Sequence, residues 1–271
     1  MALIQVQHLD KSFPSRHGSI AIMQDVTFDV QDSDFLAIVG PSGCGKSTLL
    51  RLIQGLDRPT AGQILFRGQP VDGVSKQMAM VFQSFALFPW LTVSQNVAFG
   101  LEALAWSPER IAPQVEKYVD VTGLDGFQEA YPRELSGGMR QRVGLARALA
   151  VEPAVLLMDE PFSALDALTA ESLRDEILQL WQDPSLPPEA VILVTHNIEE
   201  AIELADRVIV LSRRPGHILA EIPVQLSRPR DRKSPAFYDL TDRVYSLITE
   251  GRPTTGSETP MESAEHAGEG L

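Results

Sequence analysis

The chain has 271 residues, of which 44% are hydrophobic, so it can bury a substantial core as one compact unit with a short tail. Its formal net charge of -13 argues against a nucleic-acid-binding surface, because phosphate contacts need clustered Lys and Arg. A single cysteine, Cys44, excludes an intramolecular disulfide and a multi-cysteine metal site, so a cytosolic address is expected. The apolar runs fall far short of the ~20 residues that a membrane-spanning helix needs, and the opening residues lack the pattern of a signal peptide. Any membrane spans must therefore come from other chains.

Short runs that are apolar at every position recur along the chain and predict strands buried on both faces of a parallel sheet. They are FLAIV at 35–39, MAMVF at 78–82, AVLLM at 154–158, VILVT at 191–195 and VIVL at 208–211. Stretches with helical periodicity separate these runs, so the predicted fold class is α/β. The opening stretch to residue 30 contains alternating segments instead, and these predict antiparallel strands at an edge.

A glycine-rich turn follows the run FLAIV and precedes the helical TLLRLIQGL. It is Gly40, Pro41, Ser42, Gly43, Cys44, Gly45, Lys46 and Ser47, with Thr48 next in the chain. The turn fits the pattern G-x-x-x-x-G-K-[ST], and it lies between a strand and a helix as that pattern requires. Its glycines let backbone N–H groups wrap a phosphate, and the helix adds its positive dipole end. The sequence therefore predicts that Lys46 reaches the β and γ phosphates of ATP and that the Ser47 hydroxyl binds Mg²⁺.

A second acidic element stands at the end of the run AVLLM. Asp159 follows that predicted strand and can hold magnesium, as the second acidic element of P-loop enzymes does. Glu160 comes next and can polarise a water for in-line attack on the γ phosphate. An acidic pair is a weak signal alone, but about 110 residues after a phosphate loop it predicts a catalytic site.

The strand pattern is absent between about 84 and 150, and residues 109–122 and 139–150 are predicted helices. We interpret this region as a helical insertion. Ser136, Gly137 and Gly138 open the second helix and build another small anion-binding N-terminus. Since the chain holds one nucleotide motif, this second cradle is expected to serve a neighbouring subunit.

LSGGM followed by RQRVGLARAL closely resembles the signature sequence of ABC ATPases, and the resemblance runs from about residue 4 to residue 224. The matching motifs occur in family order: Phe13, the glycine-rich turn at 40–47 (the P-loop), Gln83, the signature, Asp159 and Glu160, the segment Ser163, Ala164, Leu165 and Asp166, and His196. The resemblance implies that Phe13 stacks on adenine, that Gln83 serves catalysis and magnesium, and that His196 senses the γ phosphate. It also implies a head-to-tail dimer in which Ser136, Gly137 and Gly138 contact ATP in trans while Asp166 links the two sites.

The resemblance implies a division of the chain. Residues 1–83 and 151–225 form a P-loop NTPase core of the RecA type with an antiparallel β-subdomain, and residues 84–150 form an inserted helical signature subdomain. Residues 226–250 are a short C-terminal extension, and residues 251–271 read as a disordered acidic tail.

Aromatic and apolar side chains crowd around Pro89, and they are Phe85, Leu87, Phe88, Trp90 and Leu91. They can be core residues, or they can receive the coupling helix of a membrane permease as in the family. The amino-acid sequence of this segment looks most like that of the bacterial importers for nitrate, sulfonate, taurine and bicarbonate. That likeness implies a permease partner, indirectly a solute-binding protein, and a place on the cytoplasmic face of the inner membrane. The main alternative is a soluble, non-transport ABC ATPase such as an assembly factor; a catalytically dead binding module is disfavoured because Lys46, Asp159, Glu160 and His196 are present.

Two further expectations concern single features. Cys44 lies among backbone N–H groups near a helix start, which predicts a favoured thiolate that reacts readily when the site is empty. After residue 224 the chain is basic, and Arg228, Arg230, Arg232 and Lys233 either pack on the cassette or contact acidic lipid. Packing is the favoured interpretation, and a short amphipathic helix is predicted to follow.

Overall fold

The computed structural model describes residues 2–16, 18–184 and 186–250. The acidic tail predicted at 251–271 lies outside the described residues. In chain order the described strands are β1 (Ile4–Ser15), β2 (Gly18–Val30), β3 (Phe35–Val39), β4 (Ala61–Phe66), β5 (Gln69–Pro70), β6 (Met78–Val81), β7 (Val155–Asp159), β8 (Ala190–Val194), β9 (Arg207–Leu211) and β10 (Ile218–Pro223). The helices are α1 (Lys46–Gln54), α2 (Val93–Ala103), α3 (Pro108–Val121), α4 (Gly137–Ala150), α5 (Ala167–Gln182), α6 (Ile198–Leu204) and α7 (Pro235–Glu250).

The central sheet has six strands in the order β10-β9-β3-β8-β7-β6. The pairs from β9 to β6 are parallel, and β10 adds an antiparallel edge strand. All five apolar runs coincide with these parallel strands to within one residue, and every residue of β3 and β8 is buried. The α/β prediction is confirmed. Because parallel strands end at the same edge of a sheet, the residues that follow β3, β6, β7 and β8 meet there.

A smaller antiparallel sheet, in the order β2-β1-β4-β5, covers one side of the central sheet. The antiparallel strands predicted for the opening stretch are confirmed as β1 and β2, whereas β4 and β5 were not predicted. The inward residues Val6 and Leu9 of β1 share one apolar cluster with Leu49 and Leu50 of α1 and Ile38 of β3. Helix α1 therefore lies in the core between the two sheets.

The region between β6 and β7 contains α2, α3, a single 3₁₀ turn at Pro132–Glu134, and α4. The two predicted helices match α3 and α4 to within two residues at each end. Val143, Ala146 and Ala150 form a fully buried face of α4, as the spacing predicted, and Met139 is partly buried beside them. The division of the chain into a core and a helical subdomain stays a prediction.

The segment after β10 packs on the core rather than facing outward. Helix α7 buries Phe237 and Val244 against the main apolar cluster. Three of the four basic residues face inward, since Arg228 pairs with Asp206, Arg230 is bonded to backbone carbonyls, and Arg232 pairs with Glu203. Lys233 is the exposed member of the set. The prediction of packing is confirmed, and the guanidinium groups of these three arginines are bonded within the fold.

Among the described residues, none of the helices combines the length and the apolar character that crossing a membrane requires.

Candidate functional site

The P-loop connects the buried end of β3 to the first turn of α1. Gly45 has a φ of 108°, and a Cβ there would lie 2.9 Å from the Ile22 Cγ2, so only glycine fits this left-handed, crowded position. The Lys46 ammonium donates to the carbonyl oxygens of Gly40 (2.8 Å) and Pro41 (3.3 Å). The loop is thereby curled around its own lysine at the N-terminal end of α1, where N–H groups and the helix dipole favour an anion.

Ser47 and Asp159 come together although 112 residues separate them. The Ser47 hydroxyl donates to the Asp159 carboxylate over 2.8 Å. Burial raises the pKa of Asp159, and the hydrogen bond from Ser47 acts in the opposite direction. Two oxygen ligands at this edge, beside the P-loop, form a donor set that suits Mg²⁺.

Glu160 lies one residue beyond the end of β7 and is the centre of a polar cluster. Its Oε2 is 3.1 Å from the His196 Nδ1 and 3.5 Å from the Gln83 Nε2. The Gln83 amide also donates to the Ser163 hydroxyl over 3.1 Å. Glu160 has a φ of 48°, a conformation that a non-glycine residue adopts only where its surroundings hold it. The cluster therefore joins the residues that follow β6, β7 and β8.

The Ser163 hydroxyl belongs to this cluster, although no feature of the sequence indicated it. Ser163 donates back to the Glu160 carbonyl over 3.0 Å, so it fixes the turn that carries Glu160. Within the segment 163–166, the family resemblance implied a role only for Asp166.

The signature residues lie at the start of α4, against the start of α5. The Ser136 hydroxyl caps α4 by accepting from the Met139 N–H. A Cβ on Gly138 would lie 2.4 Å from the Thr169 Cγ2, so the close packing of the two helices requires glycine there. Asp166 caps α5 through both the N–H and the hydroxyl of Thr169, and these hydrogen bonds lower the pKa of Asp166.

Within the part of the chain that the structure describes, no hydrogen bond joins Ser136, Gly137 or Gly138 to the P-loop. The signature residues open α4, whereas the P-loop opens α1.

Phe13 lies on β1 and is 39% exposed, with the Lys11 ammonium 4.6 Å from its ring centre. It is the cross-strand partner of Ile20, and Met23, further along β2, contacts the position of Gly45. Phe13 therefore belongs to the sheet that borders the P-loop, and its ring is partly exposed.

The expectation of a reactive Cys44 thiolate is wrong. The side chain is 1% exposed and belongs to the apolar cluster beneath the loop, not to the phosphate-facing side. Burial is the largest influence on this thiol and raises its pKa, although Lys46 and nearby backbone N–H groups act in the opposite direction. The backbone of Cys44 remains part of the P-loop.

The aromatic segment after Gln83 is partly exposed. Trp90 is 69% exposed, and the centre of the Phe88 ring lies 5.8 Å from that of Trp90 and 4.3 Å from that of Phe99.

Two residues that were not predicted from the sequence hold this segment in place. Asn96 is fully buried and donates to the carbonyls of Phe88, Leu91 and Thr92, while Arg147 of α4 donates to those of Phe85 and Ala86. A buried Asn on an apolar helix face was the available signal.

Comparison with known proteins identifies the family. The family profile described as "ABC transporter" matches residues 23–163. The chain is 44% identical to the nitrate import ATP-binding protein NrtD of Synechocystis sp., covering 94% of this chain and 98% of that protein. It is 39% identical to the aliphatic sulfonates import ATP-binding protein SsuB of Bacillus thuringiensis subsp. konkukian, covering 92% of this chain and 96% of that protein.

A solved structure has the same architecture. The dimeric, post-hydrolysis structure of the ATP-binding cassette MJ0796 bound to ADP and Pi superposes with a TM-score of 0.72 at 30% identity, covering 82% of this chain and 99% of that chain. The P-loop, the residues at the strand ends and the signature helix of this chain lie within a fold of that type. The chain therefore belongs to the ABC transporter family, as one of its ATP-binding, ATP-hydrolysing cassettes.

Proposed function

We propose that this cassette drives a membrane importer for a small anion by closing a dimer around ATP and opening it again after hydrolysis. The observation that carries the proposal is the convergence of Gln83, Glu160 and His196 beside the Ser47–Asp159 pair at one edge of the central sheet. This edge borders the P-loop, so a bound γ phosphate and the water that attacks it lie among these groups.

In this proposal the backbone of residues 40–45 and Thr48 wraps the phosphates, Lys46 neutralises the β and γ phosphates, and Phe13 stacks on adenine. The oxygen atoms of Ser47, Asp159 and Gln83 fit Mg²⁺, which when bound supplies charge neutralisation to the phosphates. Lys46 now donates to two loop carbonyls, and a phosphate would compete for the same ammonium.

Glu160 is the proposed general base. Its carboxylate is partly buried and lies within hydrogen-bond distance of His196. In this proposal the attacking water lies between these two groups and the γ phosphate. Glu160 accepts a proton from that water as the water oxygen bonds to phosphorus and the bond to the bridging oxygen of ADP breaks. His196 holds the γ phosphate in line, and Gln83 orients the water through its amide.

The second half of each ATP site comes from a second cassette, identical or paralogous. Ser136, Gly137 and Gly138 of the partner contact the γ phosphate, and Asp166 lies across the interface. Two features support this arrangement. Among the described residues, the signature cradle has no hydrogen bond to the P-loop of the same chain. In addition, a similar cassette is a dimer in its solved structure. Loss of the γ phosphate removes the shared contact, which makes the dimer a ligand-ordered switch.

The importer assignment is supported by likeness to proteins named for nitrate and aliphatic sulfonate import. A small oxyanion or organosulfonate is the proposed solute, brought by a solute-binding protein to the permease on the other side of the membrane. The cassette itself is proposed to sit on the cytoplasmic face of the inner membrane. The exposed Trp90 and the adjoining Phe88 and Phe99 are the proposed permease contact.

The test is affinity purification of the Glu160→Gln variant from gently solubilised membranes with ATP present, followed by mass spectrometry. A multi-span permease should co-purify, and a Trp90→Ala companion variant should recover less of it while still binding ATP. Recovery of soluble partners alone would refute the transporter proposal and favour an assembly-type ABC ATPase.

A further inference from the structure

The turn that carries His196 is tied to a buried carboxylate by an unusual hydrogen-bond arrangement. The Thr195 hydroxyl donates to the Glu200 Oε2 over 2.7 Å and accepts from the Asn197 N–H over 3.0 Å. Thr195 is 1% exposed and Glu200 is 8% exposed, so the contact between them is shielded from water, while the contact with the Asn197 N–H is partly buried. The hydroxyl is in the residue before His196, and the N–H is in the residue after it. The hydrogen bonds of the Thr195 hydroxyl therefore hold the backbone on both sides of His196, and we call this arrangement the link.

Capping of α6 alone does not account for this arrangement. Asn197 is the N-cap residue, and its side chain accepts from the N–H groups of Glu199 and Glu200. Glu200 is at the third helical position, where a capping-box glutamate would accept the N–H of the N-cap residue directly. Here that N–H donates to Thr195 instead, and the Thr195 hydroxyl stands between the N–H and the carboxylate. The glutamate thus holds the preceding strand end rather than the helix start.

The Glu200 carboxylate is itself held from α5. The Arg174 Nη1 lies 3.8 Å from its Oε1, and the Arg174 Nε lies 2.7 Å from the Glu203 Oε2. Burial raises the pKa of Glu200, while the hydrogen bond from Thr195 and the charge of Arg174 favour the ionised form. The same guanidinium lies 5.7 Å from the ring centre of Phe162, two residues after Glu160. One arginine therefore contacts both the link to His196 and the turn of Glu160.

We propose that Glu200 is a positioning residue for His196, acting through the Thr195 hydroxyl. The link fixes the backbone on either side of His196, and the imidazole is thereby kept within 3.1 Å of the Glu160 carboxylate. Glu200 does not touch the nucleotide. The inference rests on the role proposed above for His196, and it concerns how that side chain is held in place.

The test compares Thr195→Val, which has nearly the same shape but lacks the hydroxyl, with Thr195→Ser, which keeps the hydroxyl. Steady-state ATP hydrolysis by Thr195→Val should show a kcat roughly 10- to 100-fold lower, because displacement of a positioned group by about 1 Å costs that much. Its KM for ATP should change less than about threefold, since the P-loop is untouched. Thr195→Ser should recover most of the kcat. Thr122→Val is the matched control, because Thr122 is equally buried and its hydroxyl bonds within α3, far along the chain from His196.

Glu200→Met should lower kcat to a similar extent, because it removes the carboxylate that accepts the Thr195 hydrogen bond and leaves Thr195 in place. In folded protein labelled with ¹³C at histidine Cε1, both variants should shift the His196 signal, which a His196→Gln sample assigns. If Thr195 had a purely structural role, Thr195→Val would lower stability, and Thr195→Ser would not restore kcat. The inference is overturned if folded Thr195→Val or Glu200→Met retains the wild-type kcat, or if the His196 signal is unchanged. If His196→Gln itself hydrolyses ATP at the wild-type rate, the proposed role of His196 fails instead.

Discussion

Arg230 joins the C-terminal extension to α6, and its removal tests whether that extension is part of the folded cassette. The side chain is 1% exposed. Its Nη1 donates to the carbonyls of Ile202 (2.6 Å), Glu203 (3.1 Å) and Ala205 (2.6 Å), and its Nε donates to that of Leu226 (3.1 Å). Three of these carbonyls belong to the C-terminal end of α6, which has few other partners for them. Arg230 therefore satisfies the C-terminal end of α6 together with Arg228, which donates to the Leu204 carbonyl.

Arg230→Met keeps the apolar stem of the side chain but removes all of these hydrogen bonds. Hydrogen bonds to charged groups contribute about 1.5–3 kcal/mol each, and buried carbonyls left without a partner add a further cost. Breaking a buried charged network by removing one member costs about 3–5 kcal/mol, which is the expected loss in the free energy of unfolding. For a chain of this size the apparent melting temperature should fall by roughly 10 °C.

Thermal and urea unfolding followed by circular dichroism measure this loss, with Lys233→Met as the matched control. Lys233 carries the same charge, lies three residues away and is exposed, so its replacement should change stability by less than about 0.5 kcal/mol. A loss below about 1 kcal/mol for Arg230→Met would refute the reasoning, because the extension would then contribute little to the packed fold.

Three other predictions follow from burial and charge. Native Cys44 should react with a thiol reagent at pH 8 at least roughly tenfold more slowly than in urea, because burial raises its pKa; equal rates would contradict this. Burial raises the pKa of Glu176 to about 7 against the opposing charge of Arg142. The unfolded chain releases this proton at lower pH than the folded chain, so stability should fall as pH rises from about 4.5 to about 7, and urea titrations should show that Glu176→Gln removes this part of the slope. Arg147→Lys should speed hydrogen exchange at residues 84–91, because lysine cannot hold the carbonyls of Phe85 and Ala86 together; unchanged exchange there would argue against an anchoring role.

The parts of the fold that could be predicted from sequence are those whose cause is local. Each of the five central strands contains a run of apolar residues because helices or strands cover both faces of the sheet, so their pattern is unambiguous. By contrast, β4 and β10 are half-exposed strands with mixed composition, and β4 pairs with the distant β1. Such strands carry little signal of their own.

The candidate site shows the same contrast. The sequence order of the P-loop, the acidic pair and His196 predicted residues that the structure brings to one edge of the sheet. The surroundings of Cys44 could not be predicted, because its burial depends on the cluster formed with residues of distant strands. The bonding partners of the basic stretch could not be predicted for a similar reason: they are carbonyls and carboxylates on α6 and beside it, about 25 residues earlier.

The central claim is that ATP closes a dimer of these cassettes and that Glu160 reopens it through hydrolysis. Analytical ultracentrifugation of Glu160→Gln, with ATP and with ADP, tests it most directly. The account predicts a dimer with ATP, a monomer with ADP, and a monomer in both when Ser136→Arg is added to block the signature cradle. A Glu160→Gln protein that binds ATP and stays monomeric, or that hydrolyses ATP at the wild-type rate, would contradict it.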